Sequence, residues 1–287
     1  MSISKAVLPA AGLGTRLLPI TKETPKEMLP IYMRGRNGDL YMKPMLQAVF
    51  EQLYANGFRE FILIVGRTKR AIEDHFTKDA SFIEDLYRSG RKKLAEEMED
   101  FYDKVESSSL VFVNQPEPKG FGDAVLRAKP FISGQFLVHA GDTYIISNED
   151  NHIKRLLEVN KKSRSEATFI SQTVIDPMKY GVAKTGGALG RDGISVTEVV
   201  EKPPKPETNL AMMPIYIFSQ SIFRSLEEIE PGVGGEIQLT DGIQKLIEKG
   251  LRVSTVSLDD EDVRLDIGDP EMFWEAQVAS HEFSMKA

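Results

Sequence analysis

Apolar runs of strand length alternate with stretches of helical apolar period through the first half of the chain. Residues 5–10 (KAVLPA) read as a buried strand, and Gly12 and Gly14 mark the turn after it. Residues 45–56 place Leu46, Val49, Phe50 and Leu53 on one helical face, with Gly57 where a helix should end. The pattern then predicts a strand over 60–65, a helix through Ile72 and Phe76, a strand over 110–114, a helix over 124–132 and a strand over 136–140 running into Gly141 and Asp142. This alternation predicts a parallel sheet with crossover helices and ligands at the carboxyl ends of the strands.

The second half reads differently. Strands are expected over 167–174, 196–200 and 211–218, separated by Gly, Pro and Asn loops rather than long helices, as antiparallel or mixed additions carrying a substrate pocket. Helices return over 221–229 and 239–249, then a strand over 252–258 and a last helix from Pro270. No unit repeats along the chain, and no Ser/Gly linker divides it. The charge-dense stretch 91–104 reads as a solvated helix face. Trp274 and the methionines are expected in the core. The expectation is one α/β domain over residues 1–287, a mixed, mostly parallel sheet flanked by helices.

Composition narrows the function. With 43 acidic against 36 basic side chains the net charge is −7, so the protein has no global field for nucleic acid or an anionic membrane. A bound phosphate must be held by a local basic site. There is no Cys, which excludes thiolate nucleophiles and Cys-ligated metals. The four His are scattered, against a His-rich metal site. The first twelve residues read as a strand and Gly turn rather than a leader, and the longest apolar runs, such as 61–65, are too short to span a membrane. A soluble cytoplasmic protein is expected.

Residues 10–30 (AAGLGTRLLPITKETPKEMLP) hold the densest chemistry. Gly12 and Gly14 allow close backbone approach to oxyanions, Arg16 supplies a forked cation, and Lys22 and Lys26 follow. A lone G-x-G is also an ordinary strand-to-helix turn. The dinucleotide fingerprint fails at its third small position, where Leu17 stands, and the P-loop pattern is absent. A Gly turn with three cations suits a triphosphate.

The run G-L-G-T-R-L-x-P followed by P-K-E-M-L-P resembles the signature of the sugar-1-phosphate nucleotidylyltransferases. Further matches, in family order, are Gln115 with Gly120-Phe121-Gly122-Asp123-Ala124-Val125, then Tyr180-Gly181-Val182, Glu201-Lys202-Pro203, Asn209-Leu210-Ala211 and Gly235-Glu236-Ile237-Gln238-Leu239-Thr240-Asp241. The resemblance runs from about residue 5 to residue 280. It implies a Rossmann-like nucleotidyltransferase fold and Mg²⁺-dependent transfer from UTP to glucose 1-phosphate, giving UDP-glucose and pyrophosphate. Three departures stand out: residues 34–43 lengthen the loop after Pro30, the strand-end motif is His139-Ala140-Gly141-Asp142-Thr143, closer to thymidylyltransferase relatives, and Ile267 stands where the family more often has Cys. The second leaves UTP and dTTP both open, since thymine presents the same edge as uracil.

The resemblance also implies roles. Residues 1–150 form a nucleotide half, 151–260 a sugar-phosphate half, and 261–287 the second metal aspartate and C-terminal helix. Ala11, Gly12, Gly14 and Arg16 serve the triphosphate, Lys26 the α-phosphate and leaving pyrophosphate. Glu27, Gln115 and Gly120 face the nucleoside. Glu27 could instead pair with Lys22 or Lys26. Gly181, Glu201 and Asn209 serve the sugar and Lys202 its phosphate. Asp142 and Asp266, both at expected strand ends that a parallel sheet would bring together, are the candidate Mg²⁺ ligands; Asp241 with Glu236 is the weaker pair. In-line displacement needs positioning and charge neutralisation, not a covalent nucleophile, so the missing Cys is no handicap. The rivals are a dTTP-dependent thymidylyltransferase, a non-catalytic regulatory protein of the same fold, and a nicotinamide-dependent dehydrogenase. The helix from Pro270 carries Met272, Phe273, Trp274, Val278 and Phe283, enough apolar surface to predict a homo-oligomer, dimer or tetramer.

Overall fold

Strand β1 (Lys5–Ala10) follows directly from its pattern: every side chain after Lys5 is apolar and every one is buried, as a strand covered on both faces requires. A computed structural model describes residues 3–286. After β1 come strands β2 (Pro30–Arg34) and β3 (Leu40–Pro44), helix α1 (Met45–Ala55), strand β4 (Glu60–Gly66), helices α2 (Arg70–His75), α3 (Ala80–Arg88) and α4 (Lys92–Glu106), and strand β5 (Ser109–Gln115). Helix α5 (Phe121–Arg127) leads to β6 (Phe136–His139), β7 (Thr143–Ile146) and α6 (Asn151–Ser163). The remainder is β8 (Ala167–Thr173), β9 (Gly181–Leu189), β10 (Gly193–Glu201), β11 (Leu210–Phe218), α7 (Ser221–Glu227), α8 (Leu239–Glu248), β12 (Val253–Ser257), β13 (Val263–Asp266) and α9 (Pro270–Lys286).

Among the described residues one sheet runs through both halves, in the order β5-β4-β1-β6-β11-β8-β12-β10-β9. Strands β11 and β10 run against the other seven, so the sheet is mixed, parallel from β5 to β6 and largely antiparallel beyond. Alternation along β1 divides the core: Ala6, Leu8 and Ala10 join Phe50 and Phe61 on one face, and Val7 joins Val138, Phe169 and Ile222 on the other. Pro9 cannot donate to a ladder, but its carbonyl accepts from the Gly141 N–H at 3.1 Å, tying the ends of β1 and β6 together.

Several expectations change. Residues 34–43 are not a lengthened loop but part of the β2–β3 hairpin, and α9 packs on it: Tyr32 N donates to Ser280 Oγ at 3.1 Å and Arg34 Nε to the Ser284 carbonyl at 2.7 Å. Helix α6 occupies a stretch for which the sequence pattern names no element, its face of Ile153, Leu156 and Val159 buried against the sheet. The helix expected over 124–132 begins earlier, at Phe121, and ends at Arg127 before a short 3₁₀ turn over Lys129–Phe131. Residues 91–104 do form a charged helix, anchored by Ala95, Phe101 and Tyr102. Trp274 is not in the core: it is 68% exposed, because α9 turns Ala276, Ser280 and Ser284 inward instead. No helix among the described residues is long and apolar enough to cross a membrane.

Candidate active site

The loop after β1 turns sharply at Gly14, whose φ of 65° lies in the left-handed region and whose carbonyl accepts from Thr21 Oγ1 at 2.7 Å. Together with Gln115 at the end of β5 and the Gly120 turn into α5, it walls a hollow of about 420 Å³. Of the expected nucleotide residues, Ala11, Gly12, Gly14, Arg16, Lys26, Glu27, Gln115 and Gly120 all line it. Gly120 has φ 104°, and a Cβ there would meet the Ile237 carbonyl oxygen at 2.7 Å. The N–H of Gly122 donates to that same carbonyl at 2.8 Å, so only glycine lets the loop dock there.

A second hollow of about 320 Å³ lies beside the first, between β9, β10, β11 and β13. Gly181, Glu201, Lys202 and Asp266 line it. Thr240 Oγ1 donates to Glu201 at 2.6 Å, holding one carboxylate oxygen, while Lys202 Nζ lies 2.9 Å from the other. Lys202 has φ 41°, unusual for a side chain with a Cβ, and its N–H donates to the Tyr180 carbonyl at 3.1 Å. Such backbone strain gathers at functional sites. Arg16, Asp142 and Gly268 line both hollows. The two spaces therefore meet at a junction holding the Arg16 cation and the carboxylates of Asp142 and Glu236.

At that junction Lys26 donates to Asp142 Oδ2. Burial lowers the Lys26 ammonium, but the carboxylates of Asp142, Glu27 and Asp266 together override it and hold the amine above its usual range. Burial likewise raises Asp142, and Lys26 reverses that, leaving the acid below the usual carboxylate range. Asp266 is pushed up to about 6, by burial first and by the Asp142 charge second, against Arg264, Lys26 and Arg16.

Asp266 reaches Asp142 differently from the expectation. Its strand β13 is outside the main sheet and pairs antiparallel with β7, Asp266 opposite Thr143, and the Ile267 N–H donates to the Asp142 carbonyl at 3.0 Å. A two-stranded ribbon brings the aspartates together, not the convergence of parallel strand ends. Their oxygens alone suit a hard cation such as Mg²⁺, and mutual repulsion gives the pair a reason to take one up. No cluster of three or more His, Cys, Asp or Glu able to hold a metal occurs among the described residues. A cation here would complete its shell with ligand oxygens and water.

Glu27 pairs neither with Lys22 nor with Lys26 but accepts from Lys69 Nζ at 2.9 Å, both side chains buried. Lys69 escaped the sequence reading, though Gly66-Arg67-Thr68-Lys69 follows a predicted strand at its ligand-binding end. Arg264 escaped as well: it lines the second hollow, donates to the Tyr180 hydroxyl at 2.8 Å and lies 3.5 Å from Asp266. Its place two residues before Asp266 on one strand, hence on the same face, was the available signal. Glu236 lines both hollows without Asp241, which starts α8. Asn209 lines neither hollow; it is exposed, and its carbonyl accepts from the Val174 N–H at 3.0 Å.

Residues 5–282 match the family model for nucleotidyl transferases. The chain belongs to the nucleotidyl transferase family. It is similar to a Bacillus subtilis (strain 168) protein named UTP–glucose-1-phosphate uridylyltransferase, 38% identical over 250 residues that cover 86% of this chain and 81% of that one. A crystal structure of UDP-glucose pyrophosphorylase complexed with UDP-glucose superposes with a TM-score of 0.82 at 30% identity, over 98% of this chain and 99% of that one. A UTP-bound UGPase from Acinetobacter baumannii has the same TM-score at 27% identity, over 99% and 98% of the two chains. For a nucleotidyl transferase, two hollows meeting at a charged junction are the expected geometry of a reaction between two phosphorylated substrates.

Proposed function

We propose that this nucleotidyl transferase couples UTP to glucose 1-phosphate, releasing pyrophosphate and forming UDP-glucose. The observation that carries the reading is the junction itself: a hollow built from a Gly turn and cations opens onto a hollow built from Glu201 and Gly181, with Arg16 and Asp142 in the shared wall. Curated relatives named for this reaction support it.

In this reading a phosphate oxygen of glucose 1-phosphate attacks the α-phosphorus of UTP. The new P–O bond forms as the α–β bridge breaks, and pyrophosphate leaves in line. The chain's part is to hold both anions close and stabilise the charge that builds. Backbone N–H groups of the 11–14 turn and Arg16 hold the triphosphate; Lys26 neutralises the α-phosphate as the bridge breaks. Gln115, Gly120 and Glu27 hold the nucleoside. Glu201 and Gly181 take sugar hydroxyls, and Lys202 takes the sugar phosphate. Asp142 and Asp266 would hold Mg²⁺, which when bound screens nucleophile from triphosphate. The test is pyrophosphate release with glucose 1-phosphate and each of UTP, dTTP, ATP, GTP and CTP. Release with UTP ahead of the others is expected; release with none overturns the reading, and release with dTTP ahead of UTP makes the chain a thymidylyltransferase.

Lys202→Ala is expected to raise the KM for glucose 1-phosphate about ten- to hundredfold, the worth of one charge-assisted contact. Steady-state kinetics with each substrate varied in turn checks it. A rise confined to the UTP KM would move Lys202 to the other substrate.

The same reading includes self-association through α9. Trp274, Val278 and Phe283 stand exposed on a helix whose inner face is already occupied by the β2–β3 hairpin. Light scattering at micromolar concentration should give a mass of at least twice 32.1 kDa. A monomer would remove α9 as an interface.

A further inference from the structure

The orientation of one amide in the nucleotide hollow is dictated by chemistry. Gln115 Nε2 donates to Asp123 Oδ2 at 2.7 Å and to the Gly120 carbonyl at 3.2 Å. Both partners are acceptors only, so both hydrogens of the amide nitrogen are spoken for, and the opposite arrangement would set oxygen against oxygen. Asp123 is buried and is itself held from α5, where Arg127 Nη2 donates to its other oxygen at 3.0 Å. The amide carbonyl of Gln115 is thus the atom left to face the hollow, which Gln115 lines.

We infer that Asp123 is a positioning residue for base selection: by locking Gln115 it presents a hydrogen-bond acceptor to the base, selecting pyrimidines with an imide N3–H over cytosine. Cytosine carries a bare N3, which would meet the Gln115 carbonyl acceptor to acceptor. A site that leaves a buried polar group unpaired rejects the wrong ligand far more strongly than one that merely lacks a contact. The lock adds no discrimination between uracil and thymine, which share the imide. The inference rests on the first hollow being the base site, as proposed above.

The test compares kcat/KM for UTP, CTP and 3-methyl-UTP, the last lacking the N3–H, with glucose 1-phosphate saturating. The unaltered enzyme should prefer UTP over both analogues by at least about tenfold. Asp123→Asn keeps the shape but can turn a donor toward Gln115, leaving the Gly120 carbonyl at 3.2 Å as the one acceptor that still orients the amide, and the UTP-to-CTP ratio should fall about tenfold or more. A residue with only a structural role would lower kcat/KM for UTP and CTP alike without moving their ratio. Melting curves report whether the variant folds. An unchanged ratio in folded Asp123→Asn overturns the inference, and so does an unaltered enzyme that uses CTP or 3-methyl-UTP as well as UTP, whatever the variant does. If the unaltered enzyme transfers from no nucleotide, the reading of the hollow falls first and takes this inference with it.

Discussion

Asp142→Asn is expected to cut turnover with UTP and glucose 1-phosphate by at least about a hundredfold while the fold persists. The residue sits where the two hollows join, its side chain touching Lys26 and its backbone carbonyl holding β13 through Ile267. The amide keeps that volume and an acceptor for Lys26, the backbone contact is untouched, and relief of the repulsion on Asp266 offsets part of the lost ion pair, so the fold should persist. What is lost is the charge that, with Asp266, would attract Mg²⁺ to the phosphates. Asp266→Asn should act alike, because a hard cation bound through two carboxylates loses half its protein charge in either variant. The check is turnover across a Mg²⁺ titration, with a melting curve for each variant. A variant that keeps near-normal Mg²⁺-dependent turnover shows that its residue is not a metal ligand.

Lys69→Met should destabilise the protein by about 3–5 kcal/mol at pH 8, the cost of leaving a buried charge without its partner. Burial lifts the Glu27 carboxyl above its usual 4.5, and Lys69 and then Lys26 pull against that lift without cancelling it. A carboxyl raised on folding binds its proton more tightly in the folded than in the unfolded state. Its ionisation therefore costs stability as pH climbs from the unfolded value through the folded one. Without Lys69 the folded value rises further and the costly interval widens. The deficit of the variant should be larger at pH 8 than near pH 5, because protonating Glu27 at lower pH removes the unpaired charge. Denaturant titrations at the two pH values decide it; an equal deficit at both, or none at pH 8, would show that the pair carries no such energy.

The elements most legible in the sequence were those whose pattern leaves one solution. Five apolar residues in a row between Lys5 and Ala11 can only be a strand covered on both sides, and the 45–56 periodicity announces a helix, although α1 buries Met45 to Phe50 without a break rather than one face alone. Helix α6 was less legible, since its polar residues outnumber its apolar face. The 34–43 segment was misread because β2 and β3 have no apolar stripe long enough to announce a strand; the hairpin is held largely by its own ladder and by hydrogen bonds from α9, 250 residues away for Arg34 and Ser284. Trp274 was misplaced for the complementary reason. A helix packed through Ala276, Ser280 and Ser284 makes its close contacts with small residues, and its large apolar ones face outward.

By itself the sequence determined the alternation of strand and helix, the glycine turn with its cations, and most of the charged and amide residues that line the two hollows, because each is legible from neighbours in the chain. Only the tertiary structure decided which of those residues meet. The antiparallel ribbon puts Asp266 beside Asp142, the end of β4 supplies Lys69 to Glu27, and α5 locks Gln115 through Asp123. Each of these contacts joins groups from different elements and is fixed by burial: a charge or amide removed from water must find a complement in space, and where that complement comes from is a property of the packing rather than of local order in the chain.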